Sequence, residues 1–129
     1  MEKIDFKDAD VNLRSIVFVQ EFVIDNLFIP GQVECWNIIY NLCGMGITDV
    51  PAGDLKNTLQ LISANYGGRL YKLWILNAPG TVYFSWQIVK NFLDPVTVEK
   101  INIAKKNTDS SIWKEIDKSQ IEKKYGGTQ

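Results

Sequence analysis

The chain reads as an α/β protein, a mainly parallel β-sheet floor with flanking helices, and three observations point that way. Val33–Leu42 and Leu70–Asn77 are apolar runs rich in β-branched and aromatic residues, the composition of central strands. Segments of ten or more residues with apolar positions at helical spacing lie between and after them. Breaks at Pro30-Gly31, Gly44–Gly46, Gly67-Gly68, Ala78-Pro79-Gly80 and Asp94-Pro95 separate these segments. Strands alternating with helices build βαβ units, a parallel sheet and right-handed crossovers.

Each element has its own signal. Asp8 or Asp10 can cap a helix running to about Leu27, with Val11, Phe18, Phe22 and Ile16, Val23, Leu27 on neighbouring faces. Its apolar coverage is wide, so the helix is expected to be well buried. Val33–Leu42 is the first strand. Thr48 or Asp49 then caps a helix with Pro51 in its first turn and Leu55, Leu59, Ile62 and Tyr66 as its buried stripe. Leu70–Asn77 is the second strand, Thr81–Leu93 a helix and Val98–Ala104 a short third strand. Ser110–Lys124 is a charged helix or turn region that closes at Tyr125-Gly126-Gly127.

The totals exclude several classes of function. At 129 residues with 46% hydrophobic content the chain fits one ordinary domain with its own core. A net charge of −1 argues against nucleic acid as a partner. No run approaches the ~20 apolar residues that span a bilayer, and the alternating charges of Met1–Asp10 do not make a secretory signal. Cys35 and Cys43, the only cysteines, are expected as reduced core residues of a cytosolic protein. Histidine is absent, which removes the commonest general base and zinc ligand and with them any imidazole-dependent triad. Gly44-Met45-Gly46 follows a strand, but Asp49 stands where a dinucleotide fingerprint needs its third glycine, so it reads as a βα turn. Asp94 and Glu99 read as a helix end and a solvated charge, and the Lys105-Lys106 and Lys123-Lys124 pairs as solvated positives that at most assist docking on anionic lipid. Neither a metal site nor a cofactor is expected.

Thr81–Leu93 is the unusual element. Val82, Trp86, Val89 and Leu93 make one apolar flank, Phe84, Ile88 and Phe92 another, and Tyr83, Gln87, Lys90 and Asn91 the polar strip. The apolar arc is ~200° wide, against the roughly 100° that packing on one sheet face requires. Two readings stand: a helix sandwiched in the core or covered by a partner, and a lid over a hydrophobic cavity that touches membrane when it swings out.

Asn77-Ala78-Pro79, Phe92-Leu93-Asp94-Pro95-Val96-Thr97 and Lys100-Ile101, set around that helix, resemble the CRAL-TRIO (cellular retinaldehyde-binding and Trio) lipid-binding domain of the phosphatidylinositol/phosphatidylcholine transfer type. Weaker likeness extends back to the Val33 strand and forward to Lys124–Gly127. The resemblance implies a non-enzymatic lipid-binding or lipid-transfer module, cytoplasmic and peripheral at membranes. Its partners would be a phospholipid or other hydrophobic ligand and, transiently, a membrane surface.

The helix 81–93 would gate the cavity, lined by Trp36, Ile38, Tyr40, Leu73, Ile75, Val82, Trp86, Val89 and Phe92. Thr97 and Lys100 would meet the lipid headgroup. Trp36, Ile38 and Tyr40 alternate and so share a sheet face, expected to look toward the gate and away from the Leu55–Leu59–Ile62 helix. Family members that hold phosphatidylinositol carry a Pro-Glu pair before the arginine equivalent to Arg69. Gly67-Gly68 stand there in this chain, while Trp36 and Ile38 replace hydroxyl residues of the choline site. The resemblance implies a single domain over residues 1–129 that lacks the family's N-terminal helical bundle and first strand, either as an excised fragment or as a minimal variant. An open sheet edge is then expected to be covered in a homodimer. The alternative from the same resemblance is a protein-interaction or regulatory scaffold with no stoichiometric lipid.

Overall fold

The computed structural model describes residues 8–45, 52–106 and 111–129. Helix α1 (Ala9–Asn26) leads to strand β1 (Trp36–Asn41), α2 (Ala52–Tyr66) and β2 (Leu70–Leu76). Then follow α3 (Gly80–Val89), a 3-10 turn at Lys90–Phe92, α4 (Pro95–Lys100) and β3 (Ile101–Ile103). Three 3-10 turns, Ser111–Lys114, Lys118–Gln120 and Lys123–Tyr125, close the chain. The expected cap at Thr48 or Asp49, Pro51 and Gly46 lie outside the described residues, as does the side chain of Leu55.

The three strands are parallel in the order β1-β2-β3. Both crossovers therefore step the same way across the sheet, and equal handedness carries their helices to one face. That face holds Leu73 and Ile75 of β2 with Trp36, Ile38 and Tyr40 of β1, packed with Leu59 of α2 and Val82, Trp86 and Val89 of α3. The expectation that β1 looks toward one helix and away from the other is corrected: α2 and α3 share the face. The opposite face, Trp74 and Leu76 with Ile39, is covered by Ile112, Trp113, Ile116, Ile121 and Tyr125 from the closing turns. Residues 70 and 73 break strict alternation because β2 advances two residues while β1 advances one, from Trp36↔Leu70 to Asn37↔Lys72. Tyr71 is the extra residue, and it points to solvent.

The closing turns hold by local chemistry. Asp117 caps the second by accepting from the Ser119 amide at 2.8 Å, and the Thr128 amide donates to the Lys118 carbonyl at 2.8 Å. A Cβ at Gly127 would lie 1.7 Å from the Ile121 carbonyl oxygen, so the chain passes there only as glycine.

Three sequence expectations are corrected. The third strand is Ile101–Ile103, because Asp94 caps a helix, accepting from the amides of Val96 (2.8 Å) and Thr97 (3.3 Å), with Pro95 in its first turn. That local nucleus overrides the strand propensity of Val96, Thr97 and Val98. Helix α1 is capped by Asp8 but is not well buried: Phe18 is 70% exposed, Val11, Val19 and Phe22 are exposed too, and of its described side chains only Gln20 is buried. It is apolar on several sides, and only one can meet the domain. Cys35 and Cys43 are exposed, since β1 runs from Trp36 to Asn41 and leaves both in the flanking turns.

Candidate functional site: the covered sheet face and the α2–α4 junction

The ends of β1 and β2 position α3. Asn77 adopts a left-handed conformation (φ +54°) and donates to Asn41 Oδ1 at 2.9 Å, while that oxygen also accepts from the Cys43 amide at 3.0 Å. The Ala78 amide donates to the Ala104 carbonyl at 3.0 Å. The chain is thus turned sharply at the carboxyl ends of the strands, and Pro79 launches α3 back over the sheet. Ligand sites of open α/β sheets lie at such strand ends.

The two flanks of α3 have opposite surroundings. Val82, Trp86 and Val89 are buried against Leu73, Ile75 and Ile101, with Trp86 only 7% exposed. Trp36, Ile38 and Tyr40 complete this cluster from β1, half-buried. Phe84 (69% exposed), Ile88 and Phe92 face outward. Eight of the nine expected cavity and gate residues therefore meet in one cluster, and Phe92 stands apart on the outer flank with the Lys56 ammonium 4.2 Å from its ring centre. Burial pushes the Tyr40 phenol up from its ordinary pKa. The Trp36 indole N–H is buried and has no hydrogen-bond partner, while its ring lies 5.1 Å from Phe28 and 6.2 Å from Tyr66. Such an orphan donor faces apolar surroundings at a cost of about 1–3 kcal/mol.

The pair expected to meet a headgroup sits elsewhere, where α4 meets the end of α2. Thr97 and Lys100 are three residues apart and share a helix face. The Thr97 hydroxyl is buried 3.0 Å from that of Ser63, and the Lys100 ammonium donates to the Gly67 carbonyl at 2.9 Å. Lys100 thereby caps the carboxyl end of α2, where a cation is favoured by the helix dipole. A lysine has three donors, so two remain for another acceptor. Arg69 follows in the same turn, its guanidinium 3.7 Å from the Glu34 carboxylate. A Cβ at Gly67 would meet the Ser63 carbonyl at 2.6 Å, whereas one at Gly68 would meet nothing within 4 Å. The turn has room for a side chain at Gly68 and none at Gly67.

Ser63 and Lys56 join these sites from α2 without having been singled out in the sequence, beside Leu59 of the expected buried stripe. Ser63 is one small polar residue on an amphipathic helix, and its partner Thr97 lies 34 positions away, so no local pattern marks the pair. Among the described residues no group of three or more His, Cys, Asp or Glu could hold a metal ion, and no helix is long and apolar enough to cross a membrane.

Comparison with known proteins fits this geometry. The chain is 39% identical over 136 residues to the SEC14 cytosolic factor of Candida glabrata, covering 98% of this chain and 44% of that protein. It is 37% identical over 100 residues to the phosphatidylinositol/phosphatidylcholine transfer protein SFH4 of Arabidopsis thaliana, covering 75% of this chain and 16% of that protein. Identity to the phosphatidylinositol transfer protein CSR1 of Eremothecium gossypii is 28% over 123 residues, 95% of this chain and 27% of that protein. The chain thus spans less than half the length of these relatives. The model of the CRAL/TRIO domain matches residues 1–127, and with the parallel sheet, the Asn77-Ala78-Pro79 turn and α3 laid over the strands, the chain belongs to the CRAL/TRIO domain family.

Proposed function

We propose that this chain binds a phospholipid between the Leu73–Ile75 sheet face and α3, and exchanges it at a bilayer with α3 as the gate. One observation carries the reading: α3 is apolar on two flanks, one closing the sheet face and the other open to solvent. A helix whose role ended at packing would not keep Phe84 and Ile88 in water, a stripe that Phe92 of the following 3-10 turn continues. Swung outward, it would exchange the contacts of Val82, Trp86 and Val89 for those of acyl chains, each buried CH₂ contributing about 0.8 kcal/mol. Affinity then comes from the tails, and Lys100 and Thr97 choose among headgroups. The relatives named as phosphatidylinositol and phosphatidylcholine transfer proteins support the ligand class.

Lys100 offers its remaining donors to phosphate oxygens, and Gly68 lacks the carboxylate that would accept from inositol hydroxyls. The reading is therefore loosened preference for anionic phospholipid over phosphatidylcholine, in a non-enzymatic module peripheral at membranes. The outer edge of β1 has no strand partner among the described residues, and a homodimer would pair there. A vesicle-to-vesicle transfer assay with labelled phosphatidylinositol and phosphatidylcholine tests this. Transfer of both, with Lys100→Ala lowering the phosphatidylinositol rate selectively, supports it; no transfer of either contradicts it.

The tight burial of Val82, Trp86 and Val89 favours a second reading. A scaffold would keep α3 permanently on the sheet, hold no stoichiometric lipid and use its outer flank for a protein partner.

A further inference from the structure

Among the described residues one buried side-chain polar atom has no hydrogen-bond partner, the indole Nε1–H of Trp36. The rest of that residue is engaged. Trp36 opens β1, its amide donates to the Arg69 carbonyl at 2.9 Å, and its ring packs beside Phe28 and Tyr66 in the covered-face cluster. The other sheet face shows how the chain treats an indole that serves packing alone. Trp74, fully buried there, donates its Nε1–H to the Ser111 hydroxyl at 3.4 Å, and that hydroxyl donates to Asn102 Oδ1 at 3.0 Å. Trp74 is given a partner and Trp36 is not.

The neighbours of Trp36 narrow what would meet it. An indole donates and does not accept, so the complementary group is an acceptor. It is a neutral acceptor, because aromatic rings flank the indole and the Glu21 carboxylate, accepting from the Tyr66 hydroxyl, adds a charge that repels an anion. The carbonyls of the adjoining turn each have a donor already: Gly67 has the Lys100 ammonium at 2.9 Å, Gly68 the Cys35 thiol at 3.7 Å, and Arg69 the Trp36 amide. Lys100 and Trp36 are thereby tied to one three-residue turn, the first a cation with donors to spare, the second an N–H in apolar surroundings. A glycerophospholipid carries the matching acceptors, an anionic phosphate and, across the glycerol, a neutral ester carbonyl at the head of each acyl chain.

Resting on the transfer reading, we infer that the Trp36 Nε1–H donates to an acyl ester carbonyl of the bound phospholipid, so that the site selects ester-linked over ether-linked chains. The phosphate meets Lys100, the glycerol crosses the Gly67–Arg69 turn, and the chains continue over Leu73 and Ile75 beneath α3. An ether lipid of the same headgroup and chain length lacks only the carbonyl oxygens, and would leave the indole without its acceptor.

The test is competitive loading. The full chain is equilibrated with vesicles holding equal amounts of dioctadecenoyl phosphatidylcholine and its dioctadecenyl ether counterpart, and the bound lipids are counted by mass spectrometry. Wild type should hold about tenfold more ester than ether lipid, the weight of one buried donor met or unmet. Trp36→Phe keeps an aromatic ring against Phe28 and removes the donor, so it should bring the ratio to about one by taking up less ester lipid, with ether uptake unchanged. Trp113→Phe, on the opposite sheet face, should keep the wild-type ratio. A second readout needs no substitution: the indole N–H resonance of Trp36 should move downfield when the ester lipid loads and stay in place with the ether lipid.

Equal uptake of the two lipids by wild type overturns the inference alone, as does a ratio that survives Trp36→Phe or falls equally in Trp113→Phe. An indole resonance that the ester lipid does not move leaves the donor to a trapped water and overturns it too. Protein that takes up neither phospholipid contradicts the transfer reading, and the inference falls with it.

Discussion

Helices α1 and α3 are both apolar on more than one side, yet only α3 is fastened to the sheet. α1 runs over 18 residues with one buried described side chain, while α3 runs over 10 and buries Val82, Trp86 and Val89. The connections explain the difference. α3 leaves β2 through a short turn fixed by Asn77, Ala78 and Asn41, and a right-handed crossover must lay it on the sheet. α1 reaches β1 through residues 27–35, and among the described residues no strand leads into it. It is moored by Gln20, by the hydrogen bond from the Tyr66 hydroxyl to Glu21, and by Phe28 against Trp36. Apolarity says that a helix has surface to hide; the path of the chain decides whether it does.

The largest expected effect separates the flanks of α3. Trp86→Asp truncates a buried ring and leaves an unpaired charge, so it should cost at least about 3–5 kcal/mol in urea unfolding. Phe84→Asp, one turn half away on the outer flank, should stay within about 0.5 kcal/mol. Trp86→Asp is therefore a folding variant, and Phe84 and Ile88 are the positions that probe docking. Equal costs would mean that the outer flank is covered in solution.

The second prediction sets α1 against the sheet. Leu73→Ala should cost about 2–5 kcal/mol, whereas Phe18→Ala and Phe22→Ala should each stay within about 0.5 kcal/mol. A core-sized loss from the α1 variants, with melting that depends on protein concentration, would show a second copy seated on α1.

How much of this was legible follows from how local each signal is. The β2 run, the Pro79 break and the two-flanked helix pattern lie within neighbouring residues, and the structure keeps them, except that the helix expected over Thr81–Leu93 ends at Val89 and continues as the 3-10 turn Lys90–Phe92. Val98–Lys100, the start of the expected strand Val98–Ala104, belong instead to α4, because Asp94 accepts from the amides of Val96 and Thr97 just before them and starts a helix there. The burial of α1 depends on what the rest of the chain sets beside it, which its own periodicity does not contain. That α2 and α3 share a face follows from strand order, which one strand's alternation cannot give. In the site, Thr97 and Lys100 came from a motif, but their partners Ser63 and Gly67 come from α2 and were invisible from the motif alone.

The third prediction sharpens the difference between the covered face and the α2–α4 junction. Lys100→Ala removes one hydrogen bond and a helix-end charge, so it should cost about 1 kcal/mol and lower anionic-lipid loading. Gly68→Glu fits the open space at that position and supplies the acceptor for inositol hydroxyls. It should raise the phosphatidylinositol share of bound lipid without loss of stability; an unchanged lipid profile would place the headgroup away from this turn.

The smallest effect concerns the α1 mooring. The hydrogen bond to the Glu21 carboxylate, with burial and the like charge adding to it, pushes the Tyr66 hydroxyl from 10.0 up to about 12. The folded state holds that proton more tightly, so the contribution is constant below pH 10 and is lost as pH rises toward 12. Tyr66→Phe should remove this alkaline slope from the pH profile of thermal stability. A slope that survives the substitution would assign it to another group.

The most direct test of the central claim is the lipid content of the protein purified without detergent, measured by mass spectrometry of an organic extract against protein concentration. A lipid site between the sheet and α3 predicts phospholipid in nearly equimolar amount, with its anionic fraction falling in Lys100→Ala. Protein that is folded, melts cooperatively and yields no phospholipid would contradict the account, leaving α3 as a permanent part of the core.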